Sequence, residues 1–343
     1  MNHEGVRLKV QEHRRKLGWS QSFLANKIGV SRQTLIAIEQ GRTRIHLDLA
    51  VALADVLQMP LDTLVGRNPR PDQWRWLNDW VPTVAIPVVW AEVMDQRVVV
   101  PYHLTGDTGQ IDAWWDPKTQ QLEPTSESRH PSRVILVGGC DPRLSWLKAS
   151  FELAQGTHLM EILPASSTTA MNWLRQGFLH LAGSHWYNPT LETYNVFNDN
   201  EDVSLARVGY LKWEEGVFWH PDRGEPRRWA VREMGSEARA VFERTKSALR
   251  FPILGPTFDR HLDLTRYVLS HPDVGGVGLG SIAATVGLSF RALTQEPFEW
   301  ILRQDDLNTP WFRLFIQALE NSDLKMLLER TPHQAPFQWA QIR

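Results

Sequence analysis

The stretch SQSFLANKIGVSRQTLIAIEQGRTR, residues 20–44, decides how the first part of the chain folds. Apolar residues recur at helical spacing on one face of a short segment that reaches Gly29. Ser31 stands where a side chain caps a second helix, and Gly41 suits a left-handed stop at its end. Two short helices joined through a glycine turn predict a helix-turn-helix unit, whose second helix fits the DNA major groove.

This stretch resembles the DNA-binding domains of the phage-repressor and Cro type. The residues that carry the likeness are Gln21, Leu24-Ala25, Gly29-Val30-Ser31, Ile38-Glu39 and Gly41-Arg42. Helical spacing predicts three more helices, over residues 6–17, 46–59 and 61–65. The resemblance therefore implies an all-α bundle of five helices over residues 1–66.

The resemblance also implies which residues contact double-stranded DNA. Arg32, Gln33 and Ala37 would face the bases, where Arg reads guanine and Gln reads adenine. Arg14 and Glu39 would form a buried ion pair and contact no DNA. The full expected DNA-binding set is Gln21, Ser31, Arg32, Gln33, Thr34, Ala37, Arg42, Thr43 and Arg44.

Charge is distributed unevenly along the 343 residues. The formal net charge is −2, but residues 1–70 carry 11 Lys/Arg against 6 Asp/Glu. A basic head on an acidic body is typical of a small DNA-contacting module. Because a single head makes a small interface, specific binding is expected to need a homodimer or a higher homo-oligomer.

Composition and cysteine usage indicate a soluble, cytoplasmic protein. The single cysteine, Cys140, excludes an internal disulfide, which fits a reducing compartment. The first residues lack the apolar core of a signal peptide, and no run approaches the roughly 18 apolar residues of a membrane span. We expect no membrane partner.

Residues 67–73 are proline-rich and charged, and they predict a linker. Residues 74–130 follow as a β-rich connecting segment, with strands expected at 81–89, 98–100 and 111–115 and a loop over 116–130. The sequence leaves three roles open for this segment: a small appendage, a dimerisation element or a part of the next domain.

Residues 131–310 alternate strands and helices. Apolar strands are predicted at 132–138, 158–163 and 180–183, with helices at 141–154 and 170–178 between them. Ligands of open α/β sheets collect at the carboxyl ends of the strands. The residues expected at those ends, and at a similar helix start near 235, are Gly139, Cys140, Asp141, Ser166, Ser167, Thr168, Ser184, His185, Gly235 and Ser236.

A second resemblance covers roughly residues 132–303. The segments GGCDP, PASSTTAMNWLRQGFLHLAGSH, REMGSEAR and HPDVGGVGLGSIAATVGLSFRAL look like the type 2 periplasmic-binding-protein fold. They look in particular like its cytoplasmic version, which is fused to DNA-binding domains or found with molybdenum-cofactor proteins. The resemblance implies two α/β lobes, crossing strands near 205–219 and 288–302, and a ligand in the cleft between the lobes.

The ligand is expected to be small and polar. Asp141 would repel a bare oxyanion such as molybdate, so a pterin-like or amino-acid-like molecule is favoured over an oxyanion. Plain helix capping is the alternative reading of Ser166, Ser167, Thr168 and Ser236. Metal-site spacings and a G-x-S-x-G elbow are absent, and no nucleophile–base pair is evident, so neither a metal, a cofactor nor an enzyme is expected.

Residues 311–343 are expected to form a C-terminal amphipathic helix over 311–330 and an irregular tail. The chain is thus predicted to be a transcriptional regulator whose body senses a ligand, mediates oligomerisation, or does both. Two alternatives remain from sequence: a body that has lost its ligand and only oligomerises, and a cofactor-handling enzyme with an autoregulatory head.

Overall fold

The chain divides into two compact units, Met1–Trp74 and Arg75–Arg343. The structure is a computed structural model, and the residues that it describes are 10–11, 14–15, 19–43, 46–57, 74–106, 110–154, 158–196, 205–245 and 253–336. Among these residues, none of the helices has the length and apolar character needed to cross a bilayer.

The first unit contains three helices with described bounds: α1 (Gln21–Lys27), α2 (Arg32–Glu39) and α3 (Leu47–Val56). The predicted cap of α2 at Ser31 and the predicted left-handed stop at Gly41, with a φ of 68°, are present. Ser20 also caps α1 with its hydroxyl oxygen, and Gly29 adopts a φ of 69° that glycine tolerates. Leu24, Leu35 and Leu53 meet in one apolar core.

Three predictions for this region reach beyond the described residues. Of the helix expected at 6–17, residues 10, 11, 14 and 15 are described, and these are helical. The helix at 61–65 and the linker at 67–73 lie outside the described part of the chain.

The second unit begins with a five-stranded sheet in the order β1-β3-β2-β4-β5. Its strands are β1 (Arg75–Trp76), β2 (Ile86–Val93), β3 (Gln96–Pro101), β4 (Ala113–Asp116) and β5 (Gln121–Pro124). The prediction of a loop over 116–130 was wrong in part, because β5 pairs antiparallel with β4 there. This edge strand exposes Gln121 and Glu123 and so carries no apolar alternation to detect.

A second, larger sheet runs through the rest of the unit. Its strands follow the order β13-β12-β14-β11-β15-β8-β6-β7, while β9 and β10 form a separate hairpin. The bounds are β6 (Val134–Gly139), β7 (Leu159–Pro164), β8 (Leu181–Ser184), β9 (Tyr187–Asn188), β10 (Thr193–Tyr194), β11 (Leu205–Trp219), β12 (Arg228–Arg232), β13 (Ile253–Phe258), β14 (Val274–Leu279) and β15 (Ser289–Arg303).

Helices cover the larger sheet in two groups, which define two lobes. The bounds are α4 (Leu144–Leu153), α5 (Ser167–Arg175), α6 (Glu237–Thr245), α7 (His261–Ser270), α8 (Gly280–Thr285), α9 (Pro310–Leu319) and α10 (Ser322–Arg330). The first lobe comprises the parallel strands β6, β7 and β8 with α4 and α5. The second lobe comprises the parallel strands β12, β13 and β14 with α6 and α7.

The crossing strands β11 and β15 join the two lobes. They pair antiparallel along almost their whole length, from Leu205 opposite Arg303 to Trp219 opposite Ser289. The crossings expected near 205–219 and 288–302 are thereby confirmed. The chain therefore passes from the first lobe to the second along β11 and returns along β15.

The connecting sheet packs directly on the first lobe. Val89 and Ala91 of β2 share one apolar core with Leu136 of β6 and Ala170 of α5. The β-rich segment, whose role the sequence left open, is part of this second unit.

The end of the chain differs from the prediction in two ways. The single helix expected over 311–330 is two helices, α9 and α10, because Asn321 caps the second with its side-chain oxygen. The tail is not wholly irregular, since β16 (Gln334–Pro336) pairs antiparallel with β11. Residues 337–343 lie outside the described part.

Candidate functional site

The exposed surface of α2 is one candidate site. Ser31 Oγ accepts a hydrogen bond from the Thr34 N–H at 3.0 Å and contacts Thr34 Oγ1 at 2.8 Å. This cap starts the helix so that Arg32 and Gln33 are exposed in its first turn, whereas Ala37 is half-buried. Arg42 and Thr43 are exposed beyond the helix, and Arg44 lies outside the described residues.

A buried ion pair lies behind this surface, as the family resemblance implied. Arg14 Nη2 donates to Glu39 Oε2 at 3.1 Å, and both side chains are buried. Gln21 Nε2 donates to the same Glu39 oxygen at 3.0 Å. The amide nitrogen of Gln21 thus contacts the ion pair. Contacts of Gln21 and of the N-terminus of α1 with DNA stay predictions.

In the second unit, three predicted loops meet at the carboxyl ends of the first-lobe strands. His185 follows β8, and its ring nitrogen Nε2 lies 3.3 Å from Cys140 Sγ, which follows β6. The backbone N–H of His185 donates to Ser167 Oγ at 3.1 Å, at the start of α5. The structure therefore brings Cys140, Ser167 and His185 together.

Other predicted residues of these loops are engaged within the fold. Asp141 Oδ1 accepts from Arg143 Nε at 2.8 Å, so its carboxylate is paired with a guanidinium. Ser184 Oγ accepts from the Trp186 N–H at 3.3 Å, and the carbonyl of Gly139 accepts from the Ala165 N–H at 2.9 Å. The repulsion of oxyanions that the sequence assigned to Asp141 is accordingly weakened by Arg143.

The second lobe approaches the first through the loop before α6. Gly235, which has a φ of 90°, offers its carbonyl to Thr168 Oγ1 at 3.3 Å across the cleft. Ser236 donates to the Glu233 carbonyl at 2.8 Å and accepts from the Arg239 N–H. Ser166 caps α5 through the Thr169 N–H at 3.2 Å. Ser166 and Ser236 thus follow the helix-capping alternative, whereas Thr168 bridges the two lobes.

Two carboxyls from the crossing strands complete the site, and sequence reasoning missed both. His185 Nδ1 lies 2.6 Å from Glu296 Oε2, and Glu215 lies on the same face of the ribbon, two residue pairs further along. His185, Glu215 and Glu296, here termed the acidic cluster, each place one potential ligand atom within 4.8 Å of the others. Such a donor set is able to hold a metal ion.

Burial governs the protonation of the acidic cluster. Glu215 and Glu296 are fully buried, and His185 is 3% exposed. Burial raises the pKa of Glu296 to about 7, and burial together with the like charge of Glu296 raises the pKa of Glu215 well above its usual value. Burial disfavours the charged His185 ring, but the Cys140 sulfur and nearby carboxyls outweigh it and raise the pKa of His185 to about 9.

The sequence did contain a signal for Glu215. In β11 the residues Leu211, Trp213, Glu215 and Val217 alternate on one buried face, so a carboxyl stands where an apolar side chain is expected. The expectation of no nucleophile–base pair was also wrong in geometry. Cys140, His185 and Glu296 form a thiol–imidazole–carboxyl series, because distant loops meet at one sheet edge.

Comparison with known proteins agrees with both units. Residues 10–64 match the helix-turn-helix family and residues 149–320 match the PBP superfamily domain. An uncharacterized HTH-type transcriptional regulator of Methanothermobacter thermautotrophicus is 46% identical over 52 residues, which are 15% of this chain and 75% of that relative. The chain belongs to the helix-turn-helix transcriptional regulators and to the PBP superfamily.

Two solved structures are similar to part of the chain at low sequence identity. An ABC-type phosphate transport receptor from Vibrio cholerae is 11% identical, with a TM-score of 0.42, and the match covers 58% of this chain and 98% of the other. The regulatory domain of a LysR family regulator from N. meningitidis is 10% identical, with a TM-score of 0.44, and the match covers 60% and 98%.

Proposed function

We propose that the regulator binds double-stranded DNA through α2 and that its two lobes enclose a small polar ligand whose binding changes the affinity for DNA. Coupling of this kind requires the ligand to bind one conformation of the protein better than the other. The observation that carries the proposal is the combination of an exposed, polar first turn on α2 with buried polar groups where the first lobe meets the crossing strands.

The first turn of α2 supports the DNA-binding part. Arg32 and Gln33 are exposed there. Glu39, on the buried side of the same helix, attaches α2 to the rest of the unit through Arg14. A guanidinium and an amide in this position can each make paired hydrogen bonds to a base edge. Arg42, Thr43 and Arg44 follow the helix and would contact the phosphate backbone.

The cleft supports the ligand-binding part. Thr168 and Gly235 form a hydrogen bond between the lobes, while His185 contacts Cys140, Ser167 and Glu296. Because Glu215 and Glu296 contribute carboxyls, the site favours a cationic or hydrogen-donating ligand over an oxyanion. The expected ligand is still amine-bearing or pterin-like. The carboxyls that favour it are those of the crossing strands and not that of Asp141.

The assembly proposed for DNA binding is a homodimer or a higher oligomer. A single helix-turn-helix head contacts one half-site, and specific affinity normally requires two such heads at a fixed spacing. Closure of the lobes would alter that spacing. Native mass spectrometry of the full chain measures the subunit count and detects any retained small molecule. A monomer would refute this arrangement.

The DNA-binding part is tested with sequences selected by the full chain from a random duplex library. We expect Arg32→Ala to weaken binding to the selected sequence by about 1–3 kcal/mol, which is roughly 5–150-fold, and to relax the preference at one base pair. Fluorescence anisotropy at fixed salt measures both effects.

Lys27→Ala is the matched control, since it removes one positive charge from the far end of α1. We expect it to cost less than Arg32→Ala and to leave the sequence preference unchanged. Equal losses in the two variants would mean that α2 does not read bases.

A second candidate function rests on the Cys140–His185–Glu296 series. A thiol next to a protonated imidazole gains thiolate character and nucleophilicity. Because Cys140 is the single cysteine of the chain, mass spectrometry of iodoacetamide adducts reads its reactivity directly. Thiol chemistry requires His185→Asn to slow alkylation at least tenfold, and an unchanged rate would eliminate this candidate.

A further inference from the structure

The acidic cluster departs from the usual rule that buried charges are paired. Glu215 is fully buried, and neither of its carboxyl oxygens has a hydrogen-bonding partner among the described residues. Its neighbour Glu296 is another carboxyl. A charged carboxyl that is buried without a donor is costly, so such a group either keeps its proton or takes a positive partner.

The backbone register shows that this arrangement is built into the ribbon. Glu215 lies opposite Thr294 and Glu296 lies opposite Trp213, so the two carboxyls are diagonal neighbours on one face of paired strands. His185 approaches from the first lobe and places Nδ1 2.6 Å from Glu296. Three donor groups from three separate segments of the chain therefore converge on one point.

We propose that His185, Glu215 and Glu296 bind a divalent first-row transition-metal ion between the lobes. This inference rests on the proposed ligand site and names the class of its ligand. An imidazole nitrogen with two carboxylate oxygens is a donor set of zinc and its neighbours, whereas Mg²⁺ and Ca²⁺ prefer oxygen alone. One divalent cation would also balance the two carboxylates, which an organic ligand with a single ammonium would not.

The geometry requires only a small contraction. Ligand atoms of a four-coordinate ion with bonds of about 2.0–2.1 Å lie roughly 3.3–3.5 Å apart, while those of the acidic cluster lie within 4.8 Å of one another. Rotation of the Glu215 side chain supplies such a change. The ion would take the place of the proton that lies between His185 Nδ1 and Glu296.

The surroundings of His185 match those of a metal-binding histidine. Such a histidine uses one ring nitrogen for the ion, and the other is held by a hydrogen-bond partner. Here Nδ1 faces the carboxyls, and Nε2 lies 3.3 Å from Cys140 Sγ. Cys140 is therefore assigned as a positioning residue on the far side of the ring, and not as a ligand.

The test uses the full chain after EDTA treatment and dialysis. Titration calorimetry with Zn²⁺ is expected to give one ion per chain, and Glu215→Gln is expected to weaken binding by on the order of 10–100-fold. Glu214→Gln is the matched control, because Glu214 precedes Glu215 on β11 but pairs with His333, at 2.8 Å, outside the cluster. We expect its affinity to stay within twofold of the wild type.

A second measurement uses Co²⁺ as a spectroscopic probe of the same proteins. The proposal predicts visible bands of Co²⁺ held by nitrogen and oxygen, without a thiolate charge-transfer band, and their loss in His185→Asn. A thiolate band would make Cys140 a ligand and overturn the assigned donor set. Absence of Zn²⁺ binding, or equal losses in Glu215→Gln and Glu214→Gln, would overturn the site itself, and circular dichroism establishes that each variant is folded.

The metal inference and the regulatory proposal can fail separately. DNA affinity is measured by anisotropy with and without Zn²⁺ on the wild type and Glu215→Gln. Zinc binding that leaves DNA affinity unchanged supports the metal site and removes its regulatory role. A lack of zinc binding refutes the metal site, while a response of DNA affinity to an organic ligand would still support the regulator.

Discussion

Two groups of charged side chains are buried in the second unit, and they are built on opposite principles. The first, here termed the ion-pair cluster, contains two cations and two carboxylates: Arg129 and Lys148 with Asp112 and Glu161. The acidic cluster contains one histidine and two carboxyls. The first group pairs two carboxylates with two cations. The second has one histidine for two carboxyls, and both oxygens of Glu215 lack a hydrogen-bond partner among the described residues.

In the ion-pair cluster, every carboxylate lies within ion-pair distance of a cation. Arg129 donates to Asp112 at 2.8 Å from Nε and 2.6 Å from Nη2, and it also contacts Glu161. Arg129 and Asp112 come from the connecting segment, and Glu161 comes from β7 of the first lobe. This cluster therefore attaches the connecting sheet to the lobe. Where buried charged side chains join two parts of the fold, carboxylates are therefore placed next to cations.

The largest effect is expected from breaking the ion-pair cluster. Arg129→Met leaves two buried carboxylates facing each other, and removing one partner of a buried pair typically costs about 3–5 kcal/mol. We expect the free energy of unfolding of the full chain, measured in urea by Trp fluorescence, to fall by that amount.

Arg266→Met serves as the control for Arg129→Met. Arg266 is exposed on α7 and pairs with Asp263 across one helical turn. Exposed pairs contribute little, so we expect a change of less than about 0.5 kcal/mol. Similar losses of unfolding free energy in the two variants would show that the buried ion-pair cluster stabilises the protein no more than an exposed ion pair does.

A matched pair of substitutions tests the contrast most directly. Glu161→Gln and Glu215→Gln make the same chemical change in the two clusters. The first weakens a charged hydrogen bond to Arg129, which is expected to cost about 1.5–3 kcal/mol. The second replaces a buried carboxyl that has no hydrogen-bond donor among the described residues, so the metal-free protein is expected to be equally stable or about 1 kcal/mol more stable. Urea unfolding measures both.

The outcome of this pair bears on the metal inference as well. If Glu215→Gln destabilised the metal-free protein as much as Glu161→Gln does, Glu215 would have a partner in the fold. The acidic cluster would then be structural, like the ion-pair cluster.

A third way to bury a titratable group is to keep it uncharged, and His180 does so. The Leu136 N–H donates to Nδ1, and Nε2 lies 3.0 Å from the Glu92 carbonyl. Burial, followed by the positive charges of Arg303 and His158, lowers the pKa of His180 to about 3. The unfolded chain therefore takes up a proton below about pH 6.5 that the folded protein refuses, so stability is lost as pH falls.

The stability difference between wild type and His180→Gln measures this contribution. We expect the difference to shrink by about 2 kcal/mol between pH 7 and pH 5, since each unit of pKa shift corresponds to about 1.4 kcal/mol. His271→Gln, at an exposed position on the surface, is the control and should show a nearly constant difference. A constant difference for His180→Gln would mean that its ring becomes protonated in the folded state.

The helices and strands that could be predicted from the sequence are those whose signals lie within a few neighbouring residues. Capping serines, glycine turns and apolar spacing predicted α1, α2 and the strands of the first lobe, because each depends on neighbours within a few residues. The edge strand β5 and the break at Asn321 were missed, since polar edge residues and a single capping side chain give weak patterns. The long pairing of β11 with β15 followed from the resemblance and not from the residues themselves.

The candidate site divides in the same way. Cys140, Ser167 and His185 were predicted because they end strands that lie side by side, which a strand order implies. Glu215 and Glu296 were missed because their approach depends on the pairing register of β11 with β15. The residues of the second lobe lie between these two strands in the sequence, so the register has no local signal. Sequence alone also could not tell that Arg143 neutralises Asp141.

The smallest expected effect separates helix caps from site residues. Ser31 and Ser166 hold the same arrangement: each hydroxyl accepts from the N–H three residues on and contacts a threonine hydroxyl, at 2.8 Å for Thr34 and 3.0 Å for Thr169. Loss of such a cap costs about 1 kcal/mol, so we expect Ser166→Ala to lower the stability of the second unit by that amount. If Ser166 only caps α5, the Zn²⁺ affinity of Ser166→Ala stays within twofold of the wild type. A tenfold loss of affinity would mean that the Ser166 hydroxyl is part of the ligand site.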